Sequence, residues 1–514
     1  MPISDTGAAR QGHDHTRAVE LPASPDRAPR NSGNRTETAD AAQDAGQAEK
    51  VSDPLVVDWD GPDDPANPRN WSSKLQNANV VLVSTFVLYS NLAATMFAPG
   101  AGALIEEFQV TNSVLATLTV TIYVFGFSLG PLFLAPLSEL YGRLPLYHVS
   151  NVFYVAFTIG CALSKDIGTF LVFRFICGCA ASVPMTVGGG TVADLVPENK
   201  RGRAMALYGM GPLLGPVVGP IVGGFVTQSI GWRWTFWLIT ILAAVFSLLA
   251  IAVLKETNEE VLLERKAAKL RQVTGKSFVA RTSQNLTPKQ LLVRAIIRPT
   301  RMLIFSPIVL LMSLYCAFVF GLIFLLFTTF PTVFEETYGF GPGVAGLAYL
   351  GLGLGMICGL ILFAILSDKL MHQPRGGTVS RPELRLPLMM WFSPVTPIGF
   401  FWYGWAANNH NHWIVPIIGS YFIGLGSFFI VMPAQTYFVD IFGQQGAASA
   451  LAANTVVRNI FGTFLALAAP PLYGNLGLGW GNSLLGFICL GFAPIPILFY
   501  KYGEYLRKRF VVKL

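Results

Sequence analysis

The chain has 514 residues, of which 52% are hydrophobic and 13% charged, and its mean hydropathy is +0.51. Soluble proteins of ordinary type do not have this composition, and the charges are so unevenly spread that the chain must be divided into membrane spans instead of soluble domains. The net charge of +7 does not indicate nucleic-acid binding, because the basic residues lie in loops beside apolar segments.

Residues 1–74 are poor in apolar residues and are expected to form a disordered cytoplasmic tail without a signal peptide. The tail ends in DWDGPDDPANPRNWS, residues 58–72, whose proline and aspartate content argues against regular structure. Trp59 and Trp71 within it are suited to a headgroup surface. A membrane-proximal linker and a specific docking role are both open interpretations of this segment.

Twelve apolar stretches of about twenty residues follow, each long enough to cross a bilayer as a helix. The chain is therefore predicted to be an all-α polytopic membrane protein with twelve transmembrane helices. Their approximate cores are residues 79–98, 115–136, 146–164, 170–192, 204–227, 234–254, 304–330, 344–366, 387–406, 413–438, 447–470 and 483–500.

These spans predict an N-terminal six-helix bundle over 75–254, a cytoplasmic central loop over 255–301, a C-terminal six-helix bundle over 302–500 and a cytoplasmic tail over 501–514. The central loop holds eleven Lys or Arg against four Glu, so the positive-inside rule places it in the cytoplasm. An even number of spans then places both termini there too. Within the loop, Thr257 and Glu260 form a capping box that predicts a short surface helix.

The two halves repeat one another weakly, as in transporters built from duplicated bundles. The second and eighth spans end in Leu-Ser-Glu139 and Leu-Ser-Asp368, and the fourth and tenth end at Asp194 and Asp440. The repeat predicts two pseudo-symmetric six-helix bundles.

The fifth span carries a ladder of glycines four residues apart, three of them followed by proline: Gly211, Pro212, Gly215, Pro216, Gly219, Pro220 and Gly223. In water these residues would abolish a helix, whereas in hydrocarbon the backbone has no other hydrogen-bond partners and remains helical. The glycines then form a bare stripe against which a neighbouring helix can pack very closely.

Charged residues gather at the inner ends of the second to fifth spans. Glu139 and Arg143 flank a tight turn at Gly142, Asp194 ends the fourth span, and Arg201 follows it. Such charges can form a latch that holds inner helix ends together in one state and breaks in the other. The alternative is simple topology, which places a few charges in any inner loop.

Two arginines fall inside predicted spans, where an unpaired charge costs about 2.5–3.5 kcal/mol. Arg174 is predicted to face the bundle interior and to modulate proton transfer or bind substrate, and the alternative is that it snorkels to the outer headgroups. Arg458, beside Asn459, has the same two interpretations. The residues predicted to line a substrate cavity are Asn91, Tyr123, Tyr315, Gln435, Tyr437, Asn454 and Arg458.

No Asp, Glu or His lies in the middle of a predicted span, so the carrier of a coupled proton is unassigned, and a polycationic cargo is disfavoured. All six cysteines lie in apolar runs without metal-ligand spacing, which predicts neither a disulfide framework nor a metal site. The sequence also lacks GxSxG, HExxH and phosphate-binding motifs. We therefore expect neither an enzyme nor a bound cofactor.

Several of these motifs resemble the major facilitator superfamily, and within it the twelve-span drug:proton antiporters of fungi. Residues 135–143 are similar to its signature between helices two and three, with Glu139 for the usual Asp, and residues 171–178 to its helix-four signature around Arg174. Residues 215–224, ending in Gly223 and Gly224, are similar to its antiporter signature of helix five. Residues 58–72, GWRWTFW and SALAANTVVRN extend the resemblance to fungal multidrug and polyamine exporters.

The resemblance implies the major facilitator fold and efflux of hydrophobic or amphiphilic small molecules, such as drugs or self-made secondary metabolites. It further implies proton antiport with alternating access, the proton gradient as energy source, and a monomer in the plasma membrane. One alternative is an importer or exporter of polyamines, organic acids or other small nutrients on the same fold. Another is a receptor or channel that does not transport, which the repeat disfavours.

Overall fold

The computed structural model describes residues 55–197, 201–282, 288–371 and 382–510. Residues 1–54 of the predicted disordered tail over 1–74 and the last four residues of the predicted C-terminal tail lie outside these ranges. The described residues form the strands β1 (Leu55–Val57) and β2 (Phe278–Ala280) and the helices α1 (Ser73–Met96), α2 (Ala101–Glu107), α3 (Ser113–Tyr141), α4 (Arg143–Leu163), α5 (Ile167–Leu195), α6 (Arg201–Ile230), α7 (Arg233–Val253), α8 (Glu259–Thr274), α9 (Pro288–Phe305), α10 (Pro307–Tyr338), α11 (Pro342–Leu347), α12 (Tyr349–Met371), α13 (Leu386–Phe392), α14 (Val395–Asn408), α15 (Ile414–Phe464), α16 (Ala469–Phe492) and α17 (Pro494–Arg509).

Ten segments of the described chain are long and apolar enough to cross a membrane. One of them, Gly446–Arg509, has 64 residues and makes two crossings, because Gly477 breaks α16 with a φ of 69°. The ninth predicted span is divided into the short helices α13 and α14, neither of which reaches the length of a full span alone. When Gly446–Arg509 is counted as two crossings and α13 with α14 as one more, the ten segments become the twelve predicted crossings.

Glycine also separates the tenth and eleventh crossings. Gly443 lies inside α15 with φ 61° and ψ −172°, a conformation that glycine adopts without steric cost. Beyond the twelfth predicted span, α17 continues as a helix to Arg509, so residues 501–509 of the predicted C-terminal tail are helical. The last turn of α17 carries Arg507, Lys508 and Arg509, which suits a helix C-terminus.

The glycine ladder of α6 packs against α1, as the four-residue spacing predicts. A Cβ atom on Gly211 would lie 2.9 Å from the Leu88 nitrogen, and one on Gly219 would lie 2.8 Å from the Leu92 carbonyl oxygen. A Cβ on Gly223 would overlap the Met96 carbonyl oxygen. The two backbones therefore approach too closely for any side chain, although three prolines lie within α6.

Each half of the chain has its own core. One cluster of buried side chains is built from α1 to α7, and a second is built from the helices after residue 301. We call the face that carries residues 58–72 and Arg509 the terminal face, and the other one the opposite face. Toward the opposite face the bundles meet directly, since Cβ atoms on Gly224 and Gly346 would contact the Pro342 and Pro220 carbonyl oxygens.

A second cross-bundle contact joins α3 to the latter half of α15. The Ser128 hydroxyl donates to the Val456 carbonyl at 3.1 Å, and the Thr463 hydroxyl donates to the Thr121 carbonyl at 3.4 Å. Because these contacts and those of α6 run from the middle of the bundles to the opposite face, the two bundles are closed against each other there.

Residues 55–72, which we call the N-terminal clamp, are docked and do not form a free linker. Strand β1 pairs in parallel with β2 of the central segment. The Lys266 ammonium lies 2.6 Å from the Asp60 carboxylate, and the Trp59 indole donates to Glu259 at 3.3 Å. Of the two interpretations of this segment, the docking role is the one that the structure has.

The central segment also differs in detail from the prediction. Helix α8 is present, but its N-cap is Asn258, whose side chain accepts from the Glu260 nitrogen at 3.0 Å, and not Thr257. The reason is that Glu256 accepts hydrogen bonds from the nitrogens of Thr257 and Asn258, which moves the helix start by one residue.

We expect Gly223→Ala to lower the thermal unfolding temperature of the purified protein by a few degrees, because the added methyl group overlaps α1 and overpacking costs about 1–3 kcal/mol. Gly209→Ala is the matched control on the same helix, since no atom lies within 4 Å of its Cβ position. There alanine should be neutral or stabilising. Equal melting temperatures for the two variants would contradict the close contact.

We expect Asp64→Ala to release the N-terminal clamp, because the Asp64 carboxylate accepts from the nitrogens of Asp60 and Ala66 at 2.9 and 2.8 Å. Hydrogen exchange over residues 55–70 should become several-fold faster. Asp63→Ala, at an exposed neighbour, is the control. Unchanged exchange in the Asp64 variant would show that this carboxylate does not hold the clamp.

The same carboxylate gives the clamp a pH dependence. Hydrogen bonds from the two backbone nitrogens hold the pKa of Asp64 below its ordinary value. Because the pKa of Asp64 is lower in the folded clamp than in the unfolded chain, the ionised carboxylate stabilises the folded clamp at neutral pH. This stabilisation is lost as the pH falls below about 4. Protection of residues 55–70 from hydrogen exchange, corrected for the intrinsic exchange rate, should therefore be constant from pH 7 to pH 5 and weaken below pH 4.

Candidate functional site

The predicted latch of the first half is centred on one ion pair at the terminal face. Arg143 Nε at the start of α4 lies 2.7 Å from Asp194 Oδ2 at the end of α5. Its guanidinium also donates to the Val187 carbonyl at 3.1 Å, and Gly190 leaves the space that the guanidinium fills. The turn before it needs Gly142, whose φ is 98°.

Glu256 completes this site, although the sequence analysis treated it only as one acid of the central loop. Its side chain is 5% exposed and accepts from the nitrogens of Arg143 and Leu144 at 3.0 and 3.1 Å. A carboxylate at the N-terminus of α4 is stabilised by the unpaired N–H groups of the first turn. The end of the sixth crossing is thereby tied to the start of the third.

Two predicted latch residues lie outside the ion pair. Arg201 donates to the carbonyls of Ala193 and Val196 at 3.1 and 3.4 Å, so it caps the C-terminus of α5. Glu139 is exposed and forms no ion pair with a described residue, although its carboxylate interacts electrostatically with Arg143 and Arg294.

The second half contains a matching pair that the sequence analysis missed. Arg385 Nε, just before α13, lies 2.9 Å from Asp440 Oδ2, and the same guanidinium donates to the Ser367 hydroxyl at 3.2 Å. Beside it, Arg507 near the end of α17 lies 2.7 Å from Glu383. The sequence repeat contained a signal for this pair, because Arg385 precedes the ninth span as Arg143 precedes the third.

Arg174 is enclosed within the first bundle. Its side chain is 2% exposed, its guanidinium donates to the Ala93 carbonyl at 2.8 Å, and its Cζ lies 4.6 Å from the centre of the Tyr123 ring. The alternative that it snorkels to the outer headgroups is therefore wrong. A cavity of about 10 Å³ lies beside it, lined also by Tyr154 and Thr158, which is room for about one water molecule.

The residues predicted to line one substrate cavity are distributed over several places. Tyr123 lies in the core of the first bundle, and Tyr315 lies in the core of the second, where it stacks on Phe492. Asn91 lies where α1 meets Gly215.

The remaining four predicted cavity residues lie in α15. Gln435 is half-buried, and Tyr437 is buried beside Gly503 of α17. Asn454 and Arg458 lie one helical turn apart in the same helix, and Arg458 contacts Phe320 of α10 in its own half.

One acid within a membrane-crossing helix also escaped the sequence analysis. Glu335 lies in the last turn of α10, which continues beyond the predicted end of the seventh span. Its Oε1 atom is buried and has no hydrogen-bond partner in the described part of the chain, and the same is true of the Tyr338 hydroxyl. Its neighbour Glu336 is exposed.

Twelve crossings in two bundles, with equivalent ion pairs at one face, define a helical transporter built from duplicated halves. A family model described as Major Facilitator Superfamily matches residues 81–467, and the chain belongs to this superfamily. It is an integral multi-pass membrane transporter and not an enzyme.

Fungal transporters are similar to this chain over most of its length. MFS transporter prlG of Fungal sp. (strain NRRL 50135) is 66% identical over 89% of this chain and 97% of its own. MFS-type transporter phm3 of Pyrenochaetopsis sp. is 63% identical, over 89% and 95%. The trichosetin biosynthesis cluster MFS transporter of Gibberella fujikuroi is 54% identical, over 91% of each chain.

Solved structures share the fold at low sequence identity. A D-xylose-proton symporter superposes with a TM-score of 0.64 at 16% identity, over 84% of this chain and 97% of its own. A bacterial homologue of the human lysosomal transporter Spinster superposes with a TM-score of 0.60 at 14% identity, over 86% and 100%.

We expect a double-mutant cycle of Arg385→Gln and Asp440→Asn to give a coupling free energy on the order of 1 kcal/mol in thermal unfolding, because the two side chains are partly shielded from solvent, at 24% and 30% exposure. Lys508 and Glu504 form an exposed ion pair in α17, where the same cycle should give a coupling close to zero. Equal couplings for the two pairs would show that the Arg385–Asp440 pair has no special role.

Proposed function

We propose that this protein exports hydrophobic or amphiphilic small molecules by alternating access to a path between its two bundles. The arrangement of the bundles carries the proposal. Each described Arg–Asp pair of the terminal face lies within one bundle, and no described ion pair joins the two bundles. The halves can therefore rock about their junction as rigid bodies, closed at the opposite face in this structure and open there in the other state.

Two observations support export. Helix α6 carries the glycine and proline pattern that resembles the antiporter signature, and it forms part of the closed junction through Pro220 and Gly224. In addition, one relative is named for a biosynthesis cluster. A transporter of such a cluster meets a compound made inside its own cell, so a self-made secondary metabolite is the cargo that we propose.

We further propose that export is coupled to proton entry, with the proton gradient as the energy source and no bound cofactor. The acid that we propose as the carrier is Glu335, whose Oε1 atom is buried without a described hydrogen-bond partner in a membrane-crossing helix. The titratable groups near it are Glu336 and Tyr338 of α10 and Tyr349 of α12. We place the terminal face in the cytoplasm and the protein, as a monomer, in the plasma membrane.

Gene deletion in the producing cell tests the direction and the cargo. We expect at least one lipophilic metabolite to move several-fold from the medium to the cell interior, and the wild-type gene to restore its secretion. An unchanged distribution would contradict export of a self-made compound. Accumulation of a nutrient outside the deleted cells would favour the importer alternative.

Sealed vesicles with the reconstituted protein and the metabolite found in this way test the coupling. Flux should rise several-fold when a pH gradient is imposed, because a titratable carrier links the two movements. Glu335→Gln should make the flux indifferent to the gradient, whereas Glu336→Gln should leave its response intact. Wild-type flux that ignores the gradient would refute antiport, and a normal response of the Glu335 variant would exclude that residue as carrier.

A further inference from the structure

A polar cluster lies near the middle of the eleventh crossing, in the helix that contacts the other bundle. Val456 and Thr463 of α15 form hydrogen bonds with Ser128 and Thr121 of α3, while Arg458, between them in sequence, contacts Phe320 of α10 in its own half. In transporters built from repeats, the substrate site lies near the membrane midplane at the repeat interface. This stretch of α15 borders that interface.

The Arg458 guanidinium has no acidic partner in the described part of the chain. Its Cζ lies 4.7 Å from the centre of the Phe320 ring, and the titratable group that interacts with it is the Cys316 thiol. Asn454, one turn earlier, is fully buried. Its amide oxygen and nitrogen, and Arg458 Nε, have no described hydrogen-bond partner.

Such a group of unpartnered polar atoms is costly, because a buried charge is normally paired and buried polar atoms are normally hydrogen-bonded. A ligand that supplies a negative charge and acceptor oxygens would satisfy the two donors of the group, Arg458 Nε and the Asn454 amide nitrogen. A carboxylate or a similarly delocalised oxyanion matches the planar guanidinium and the amide N–H groups. The rings of Phe320 and Phe324, which pack on Gly462, offer an apolar wall beside them.

We infer that Arg458 and Asn454 form a subsite for an anionic group of the cargo, so that the transported compound is an amphiphilic oxyanion. This inference rests on the proposed export function. A cationic cargo would be repelled here, since no described acid lies beside the guanidinium. A neutral cargo would leave the charge unpaired.

Arg174, the other buried arginine, does not offer an equivalent subsite. It is 2% exposed inside one bundle, and the cavity beside it has room for about one water molecule. Arg458 keeps partial exposure. Of the two arginines, it is the less enclosed one.

Binding of two fluorescent probes to the purified full-length protein tests the inference without requiring transport. The probes are 11-(dansylamino)undecanoate and its primary amide, which share an apolar body and differ in charge. The wild-type protein should bind the carboxylate about tenfold more tightly than the amide, as one charge-assisted hydrogen bond provides. Equal affinities would overturn the inference.

Variants then locate the subsite. Arg458→Gln should abolish the preference and Arg458→Lys should keep part of it, while Arg301→Gln, at an exposed site on α9, should leave it unchanged. Asn454→Asp places an internal carboxylate beside Arg458. It should raise the melting temperature and weaken carboxylate binding at least tenfold, which a merely misfolded variant would not do. Retention of the preference in folded Arg458→Gln would overturn the assignment.

Vesicle flux of the same two probes separates this inference from the proposed function. Arg458-dependent binding of the carboxylate without any flux would refute export and leave the anion subsite standing. Export of both probes at equal rates would refute the anion subsite and leave export standing.

Discussion

The contact of helix backbones at glycine is the constraint on which the rest of the structure depends. Lipid tails are as apolar as the side chains of the spans, so helices gain little by burying those side chains against each other, and close van der Waals packing must hold them together. Helix α6 satisfies this requirement on two sides. Gly211, Gly215, Gly219 and Gly223 face α1 within the bundle, and Gly224 faces α11 of the other bundle.

This double use makes α6 a structural link. It packs without intervening side chains on both neighbours and so joins the close packing of the first bundle to its contact with the second. A soluble protein could not use the same sequence, since the prolines and glycines of α6 would prevent a helix in water.

Charges organise the terminal face by different means in the two halves. Both halves join the start of their third crossing to the end of their fourth by an Arg–Asp pair. The last crossing of the first half reaches this place with an acid, Glu256, which caps α4, whereas the last crossing of the second half reaches it with a base, Arg507, which pairs with Glu383. The architecture is repeated, but the sign of the connecting charge is reversed.

The sequence alone determined the twelve crossings, their grouping into two halves and the close face of α6, because hydropathy, duplication and glycine spacing are local or periodic properties. It also placed Arg143 and Asp194 at the same inner ends. Glu256, Arg385 and Glu335 escaped it for a common reason: each lies at or just outside the end of a helix, where the partner or the burial comes from another element.

Tertiary structure alone decided which polar residues share a site. Tyr123 and Tyr315 look equivalent in sequence to Asn454 and Arg458, since each is a polar or aromatic residue in an apolar span. Packing encloses the two tyrosines in separate cores and leaves polar atoms of Asn454 and Arg458 without a described partner in the helix that contacts the other bundle. The period of a helix shows which residues share a face, but only the packing of helices shows what that face meets.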